Sequence, residues 1–139
     1  MKTDKIQFQI IKEFTPLKEW FEKYEKLIEF GKNMPPMEEH YKTEENLMSG
    51  CQSSVWIISR LKNGKVIYQA DSDTLIIKGI IAILLKVVNY QSPQDISSMD
   101  LGFLNDIGLS SNLSPSRANG LNSIVNYIKD CAKKYISEL

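Results

Sequence analysis

Cys51, Cys131 and His40 are the only thiols and the only imidazole in this chain. Of the three, Cys51 sits in the most unusual setting, Met48-Ser49-Gly50-Cys51-Gln52-Ser53-Ser54. Gly50 permits an unusual backbone turn just before the sulfur. Gln52, Ser53 and Ser54 offer hydrogen-bond donors able to stabilise a thiolate. The competing reading is packing, because free cysteine is among the most often buried residue types. Cys131 lies on an apolar helical stripe and reads as core. His40 falls in a polar stretch eleven positions before Cys51, and reads as a solvated loop residue rather than a base. Two cysteines and one histidine are too few for a structural zinc site. They are also too few for a secreted disulfide framework. The first residues carry no long apolar run, so no signal peptide is visible. A reducing, cytoplasmic setting is the default expectation, with both cysteines as thiols.

The elements that must position Cys51 follow from pattern. Ser53 to Leu61 reads as a strand with Val55 and Ile57 on one face and Trp56 and Ile58 on the other. Both faces are apolar, so the strand is expected to be covered on both sides. Asn63-Gly64 then predicts a tight hairpin, since a type I′ turn needs positive φ at both central residues. Val66 to Ala70 is the returning strand. Asp71-Ser72-Asp73 supplies helix-capping candidates. Thr74 to Tyr90 reads as a central helix buried on most sides, where Gly79 would let another backbone approach. Upstream, Thr15-Pro16 is expected to open a helix carrying Leu17, Trp20, Tyr24, Leu27, Ile28 and Gly31 at helical spacing. A shorter helix is expected over 4–14. Glu38 to Ser49 reads as a loop, and Ser92-Pro93 and Asp100 to Leu109 as short helical turns. Ser114-Pro115 opens the last helix, with Leu121, Ile124, Ile128, Cys131 and Tyr135 as its stripe.

Composition narrows the class. The chain has 139 residues, 42% hydrophobic and 24% charged, which is ordinary for one globular domain. Seventeen basic residues balance seventeen acidic ones. Zero net charge argues against a nucleic-acid binder that relies on bulk charge. It argues equally against an electrostatic membrane anchor. The long apolar helix is too short and too interrupted by Lys78 and Lys86 to span a bilayer. Helices, then a hairpin, then helices predict a single α+β domain over 1–139 with a small antiparallel sheet over 53–70.

Gly50-Cys51-Gln52-Ser53-Ser54-Val55-Trp56-Ile57 resembles the active-site signature of the SufE family of cysteine desulfuration proteins. Four further blocks resemble the same family in the same order. They are Tyr24 to Gly31 with Met34-Pro35, Asp71-Ser72-Asp73 before Ile77-Lys78-Gly79, Ser92 to Ile96, and Leu113 to Arg117 with Gly120-Leu121. The resemblance runs from about Leu17 to Ile128. It implies an α+β fold also seen in IscU-type scaffolds, with the cysteine at a loop tip. It implies a sulfur acceptor that works with a SufS-type cysteine desulfurase. The family binds no cofactor of its own, and the pyridoxal phosphate belongs to the desulfurase. Cys51 matches the persulfide-carrying cysteine, which passes sulfur on for iron–sulfur cluster assembly, as to a SufBCD-type complex. Such a protein carries a covalent intermediate but turns over nothing alone.

The resemblance also singles out Gly50 and Gln52 in the loop, Arg117 in desulfurase docking, and Asp73 near the cysteine loop. Arg117 falls in the first turn of the last helix, where a cation meets the positive end of the helix dipole. An ordinary salt bridge is the competing reading, as a plain helix cap is for Asp73. The identity of the end user stays open, a tRNA-modifying enzyme being one alternative, as does a non-carrying regulatory domain. A homodimer also stays open. A cluster scaffold would need about three cysteines and a further ligand.

Sulfur transfer is thiolate attack on a sulfur–sulfur bond. An ordinary cysteine, with a pKa of about 8.5, is about 3% thiolate at pH 7. Lowering that pKa to about 7 multiplies the thiolate about 16-fold, but lost nucleophilicity returns about 5-fold. Positioning the sulfurs is worth orders of magnitude more. Docking geometry is therefore expected to drive the reaction, without a local activating base. Met48, Val55 and Trp56 flank the loop, so its sulfur is expected to tuck toward an apolar pocket and turn outward on the partner.

Overall fold

The computed structural model of the chain describes residues 2–48, 53–108 and 113–138. Its elements in order are α1 (Lys2–Phe14), α2 (Trp20–Asn33), β1 (Val55–Lys62), β2 (Lys65–Ser72), α3 (Leu75–Val88), α4 (Pro93–Ser98), α5 (Phe103–Asp106) and α6 (Pro115–Glu138). Two single 3₁₀ turns, Glu39–Tyr41 and Glu44–Asn46, lie between α2 and β1. The architecture is α+β, with a two-stranded antiparallel sheet among helices.

Asn63 and Gly64 turn the hairpin with φ of 53° and 76°. Lys62 pairs with Lys65 across them, and the register runs unbroken to Val55 opposite Ser72. The two-residue loop is the one that matches the twist of the strands. The two faces of the hairpin are covered unequally at the start of β1. Val55 and Ile57 are buried, whereas Trp56 and Ile58 are half-exposed. The expected second apolar layer is replaced over Trp56 by the Lys42 ammonium, 5.7 Å from the ring centroid.

The buried face meets α3, the centre of the molecule. Ile76, Ile80, Ile83, Leu84, Val87 and Val88 are at most 1% exposed. A helix apolar on nearly every side must be surrounded, and α1, α2 and β2 all pack on it. The α2–α3 crossing is close because each helix offers a glycine there. A Cβ on Gly79 would strike the Leu27 carbonyl, and one on Gly31 would stand 3.1 Å from the Gly79 nitrogen. Phe14 of α1 stacks on Phe30 of α2 with centroids 6.1 Å apart.

Helix α6 turns Leu121, Ile124, Ile128 and Ala132 inward, while Cys131 is half-buried at the flank of that stripe. Three tyrosines join α6 and the hairpin. The Tyr68 hydroxyl donates to the Ile128 carbonyl at 2.7 Å, the Tyr135 and Ser59 hydroxyls are 3.0 Å apart, and Tyr127 donates to the Ile57 carbonyl at 3.4 Å. Burial, and then the Cys131 sulfur, push the Tyr127 phenol up to about 12.

Two helix starts differ from the sequence expectation. Thr15-Pro16 closes α1 instead of opening α2: the Thr15 hydroxyl donates back to the Ile11 carbonyl at 2.8 Å, and the Leu17 N–H reaches Phe14 at 3.0 Å. Threonine can serve either role, and proline suits the residue after a helix end as well as a first turn. Residues Asp71 and Ser72 do not cap α3, because β2 runs through them and Thr74 holds the N-cap position. Helix α6 begins at Pro115 as expected.

Candidate functional site

Gly50, Cys51 and Gln52 lie outside the described residues, and so does the Arg117 side chain. The backbone of Arg117 is the third residue of α6. What the structure describes is the pair of ends from which the cysteine segment leaves and returns. At the inner end the Met48 N–H donates to the Val55 carbonyl at 2.8 Å, and Leu47 bridges to Trp56. This brings the chain before the segment alongside the first residues of β1.

The returning end is held by the start of α3. One Asp73 carboxylate oxygen accepts the Ser54 N–H at 3.1 Å and the Thr74 hydroxyl at 3.2 Å. The Asp73 N–H donates to the Ser54 carbonyl at 3.3 Å. The Thr74 and Ser53 hydroxyls are 2.7 Å apart. The β2–α3 corner can do this because the hairpin register sets Ser72 opposite Val55, so the next residues of each strand's extension face one another. Asp73 is therefore not a plain helix cap; its carboxylate is bonded to the residue third after Cys51.

Beside this stem lies a charge cluster that patterning did not reveal. Asp71 is only 8% exposed. Its carboxylate oxygens stand 2.8 Å from the Lys42 ammonium and 3.4 Å from that of Lys78. Burial pushes this carboxyl up, but Lys42, the Ser72 N–H and Lys78 together outweigh it and hold the group below the ordinary aspartate value. The hydrogen bond to Asp71, with a second to Glu39, raises Lys42. Lys42 thereby ties the 3₁₀ segment upstream of Cys51 to β2. Sequence could have pointed here only through Asp71, an acid following an apolar strand.

His40 is turned to solvent, 3.2 Å from Glu38, with its ring tilted 39° against that of Tyr41. That setting is the solvated loop position read from the sequence. Among the described residues no group of three or more His, Cys, Asp or Glu side chains could hold a metal ion. Among them, too, no helix is long and apolar enough to cross a membrane.

The SufE description, an Fe-S metabolism associated domain, matches residues 8–132. An uncharacterised SufE-like protein of Rhizobium meliloti (strain 1021) is 37% identical over 130 residues, covering 90% of this chain and 93% of that protein. In fold, the chain is similar to the solution structure of a hypothetical protein from Thermus thermophilus. The TM-score is 0.77 at 19% identity, over 95% of this chain and 96% of that one. With its α+β fold and its cysteine segment between Met48 and Ser53, the chain belongs to the SufE family, the Fe–S metabolism associated group of sulfur-transfer proteins.

Proposed function

We propose that this protein is a sulfur acceptor and persulfide carrier, with Cys51 as its nucleophile. The Cys51 thiolate attacks the outer sulfur of a persulfide held by a pyridoxal-phosphate cysteine desulfurase of the SufS type. A bond forms between Cys51 and that sulfur, and the donor's sulfur–sulfur bond breaks. The donor cysteine leaves as a thiolate, and the proton on the transferred sulfur stays with it. No external oxidant or reductant enters. Removing sulfur from the desulfurase frees it for another cycle, and a cytoplasmic iron–sulfur assembly complex of the SufBCD type receives the cargo.

The single observation that supports this reading is the clamped stem. Met48 bonded to Val55, and Asp73 bonded to Ser54, restrain both ends of a short segment that holds one thiol. A restrained segment presents its sulfur at small entropic cost when a partner docks. Gly50 and Gln52 shape that segment, and Arg117 and Asp73 serve docking and loop positioning. The apolar residues that flank the segment in sequence, Met48, Val55 and Trp56, favour a sulfur shielded from small reagents until the partner docks.

Mass spectrometry after incubation with a cysteine desulfurase and cysteine tests the proposal. The expected result is one added sulfur atom on the Cys51 peptide, removable by reductant and absent from Cys51→Ser. Alkylation of Cys51 is expected to be slow in the free protein and faster with the desulfurase bound. Undiminished sulfur relay through Cys51→Ser would overturn the assignment.

A further inference from the structure

A second site lies at the other end of α3 from Asp73 and Thr74. Fourteen residues of α3 separate the two, about 20 Å at the helical rise. There the C-terminal halves of α2 and α3 and the strand residues Arg60, Gln69 and Ala70 enclose a groove of about 580 Å³. That volume suits a small organic ligand.

Three features of this groove are not explained by packing. The first is charge. Lys26, Arg60 and Lys86 line it together with Glu13 and Glu29. Lys26 is loosely paired with both acids, at 3.6 and 4.0 Å. Lys86 and Arg60 have no carboxylate within ion-pair reach among the described residues. The Lys26 and Lys86 ammoniums lie 5.7 and 5.3 Å from the centroid of the same ring, Phe30.

The second feature is Tyr90. It follows the C-cap residue of α3, Asn89, with φ at 63°. Asn89 before it is extended, with ψ at 142°, so Tyr90 takes the third position of a type II-like turn, where glycine is the usual residue because a side chain enters left-handed backbone at a cost. Burial does not offset that cost, since Tyr90 is 62% exposed. An exposed ring kept in unfavourable backbone at a groove mouth points to use of the ring.

The third feature is the backbone edge of β2. In a ladder closed by the Lys62–Lys65 pair, Val66, Tyr68 and Ala70 turn their N–H and C=O groups away from β1. Val66 spends both on Tyr90 and Gln91. Tyr68 spends both on the Asn89 side chain, at 2.7 and 3.2 Å. Ala70 lines the groove and is 2% exposed, and no partner for its outward pair is found among the described residues. Unpaired buried main-chain groups are rare and call for a ligand or water. One free residue is too short an edge for an added strand. It is the right size for the adjacent donor and acceptor of a heterocycle.

We propose that this groove binds a small heteroaromatic phosphate of mononucleotide size. Its planar ring stacks on Tyr90 and pairs with the Ala70 backbone, and its phosphate meets Lys86 and Arg60. The site is independent of Cys51 and of the sulfur-transfer reading.

Amide NMR titration of the full chain with AMP, GMP, CMP and UMP tests the proposal, with adenosine and inorganic phosphate as separate arms. The expected result is saturable shifts at Gln69, Ala70, Lys86 and Tyr90 with at least one nucleotide. Adenosine or phosphate alone should bind at least about tenfold more weakly, as should that nucleotide to Lys86→Gln. Tyr90→Gly is the decisive variant. It relieves the backbone, so thermal stability should hold or rise while affinity falls about tenfold. No saturable shift with any nucleotide, shifts elsewhere on the surface, phosphate binding as tightly as the nucleotide, or full affinity in Tyr90→Gly would each overturn the proposal.

Discussion

Asp73 shows how much one exposed side chain can coordinate. A single carboxylate oxygen serves both the Ser54 N–H and the Thr74 hydroxyl, joining the cysteine segment to the helix that forms the core. Exposed hydrogen bonds contribute little net stability, because water replaces them well. Asp73→Ala should therefore cost about 1 kcal/mol or less in denaturant unfolding. Its effect should be local. Hydrogen exchange at the Ser54 amide should speed up, and sulfur uptake onto Cys51 should slow several-fold. If Ser54 exchange were unchanged, the clamp would not depend on this carboxylate.

At the scale of elements, the contact that fixes the interior is the crossing of α2 and α3 at Gly31 and Gly79. Helices this close leave no room for a methyl group over the Leu27 carbonyl, which is backbone and cannot rotate aside. Gly79→Ala would gain helix propensity, about 1 kcal/mol. The forced separation of two packed helices should outweigh that gain, for a net loss of about 1–3 kcal/mol. Urea unfolding measures the difference, and a stabilised variant would mean that the crossing can relax. Gly79 was legible in the sequence, as a glycine inside an apolar run. Its partner Gly31 was visible only as one more position on a periodic helix face, since nothing in a single chain states which face meets which.

Across the whole molecule, the Lys42–Asp71–Lys78 cluster links the segment before the cysteine, the sheet and the central helix. Its electrostatics carry a pH signature. The folded Asp71 carboxyl is held below its ordinary value despite burial. A depressed carboxyl contributes stability that is fully present above the unfolded pKa of about 3.9 and is lost as pH falls through the lower folded value. Asp71→Asn should thus be less stable than the parent at pH 7. The gap should shrink as pH drops below about 3.9, in thermal unfolding followed across pH. A gap that stayed constant into acid would mean that the carboxylate's charge contributes nothing.

Local chemistry was settled by the sequence alone wherever it depends on neighbours along the chain. Asn63-Gly64 had to turn because positive φ is allowed there. The run from Leu75 to Val88 had to be central because it has almost no polar face, and Pro115 had to begin a helix. The family, too, was legible, from short blocks around Cys51, Asp73 and Arg117. Tertiary structure decided the rest. Thr15-Pro16 could end one helix or start another, and only the Ile11 carbonyl settled it. Half-exposure of Trp56 and Ile58 depended on whether a second layer existed to cover them. The reach of Asp73 to Ser54, the two lysines on Asp71 and the groove beneath Tyr90 all join residues far apart in sequence. Such contacts depend on how elements dock, and periodicity along one chain carries no record of docking.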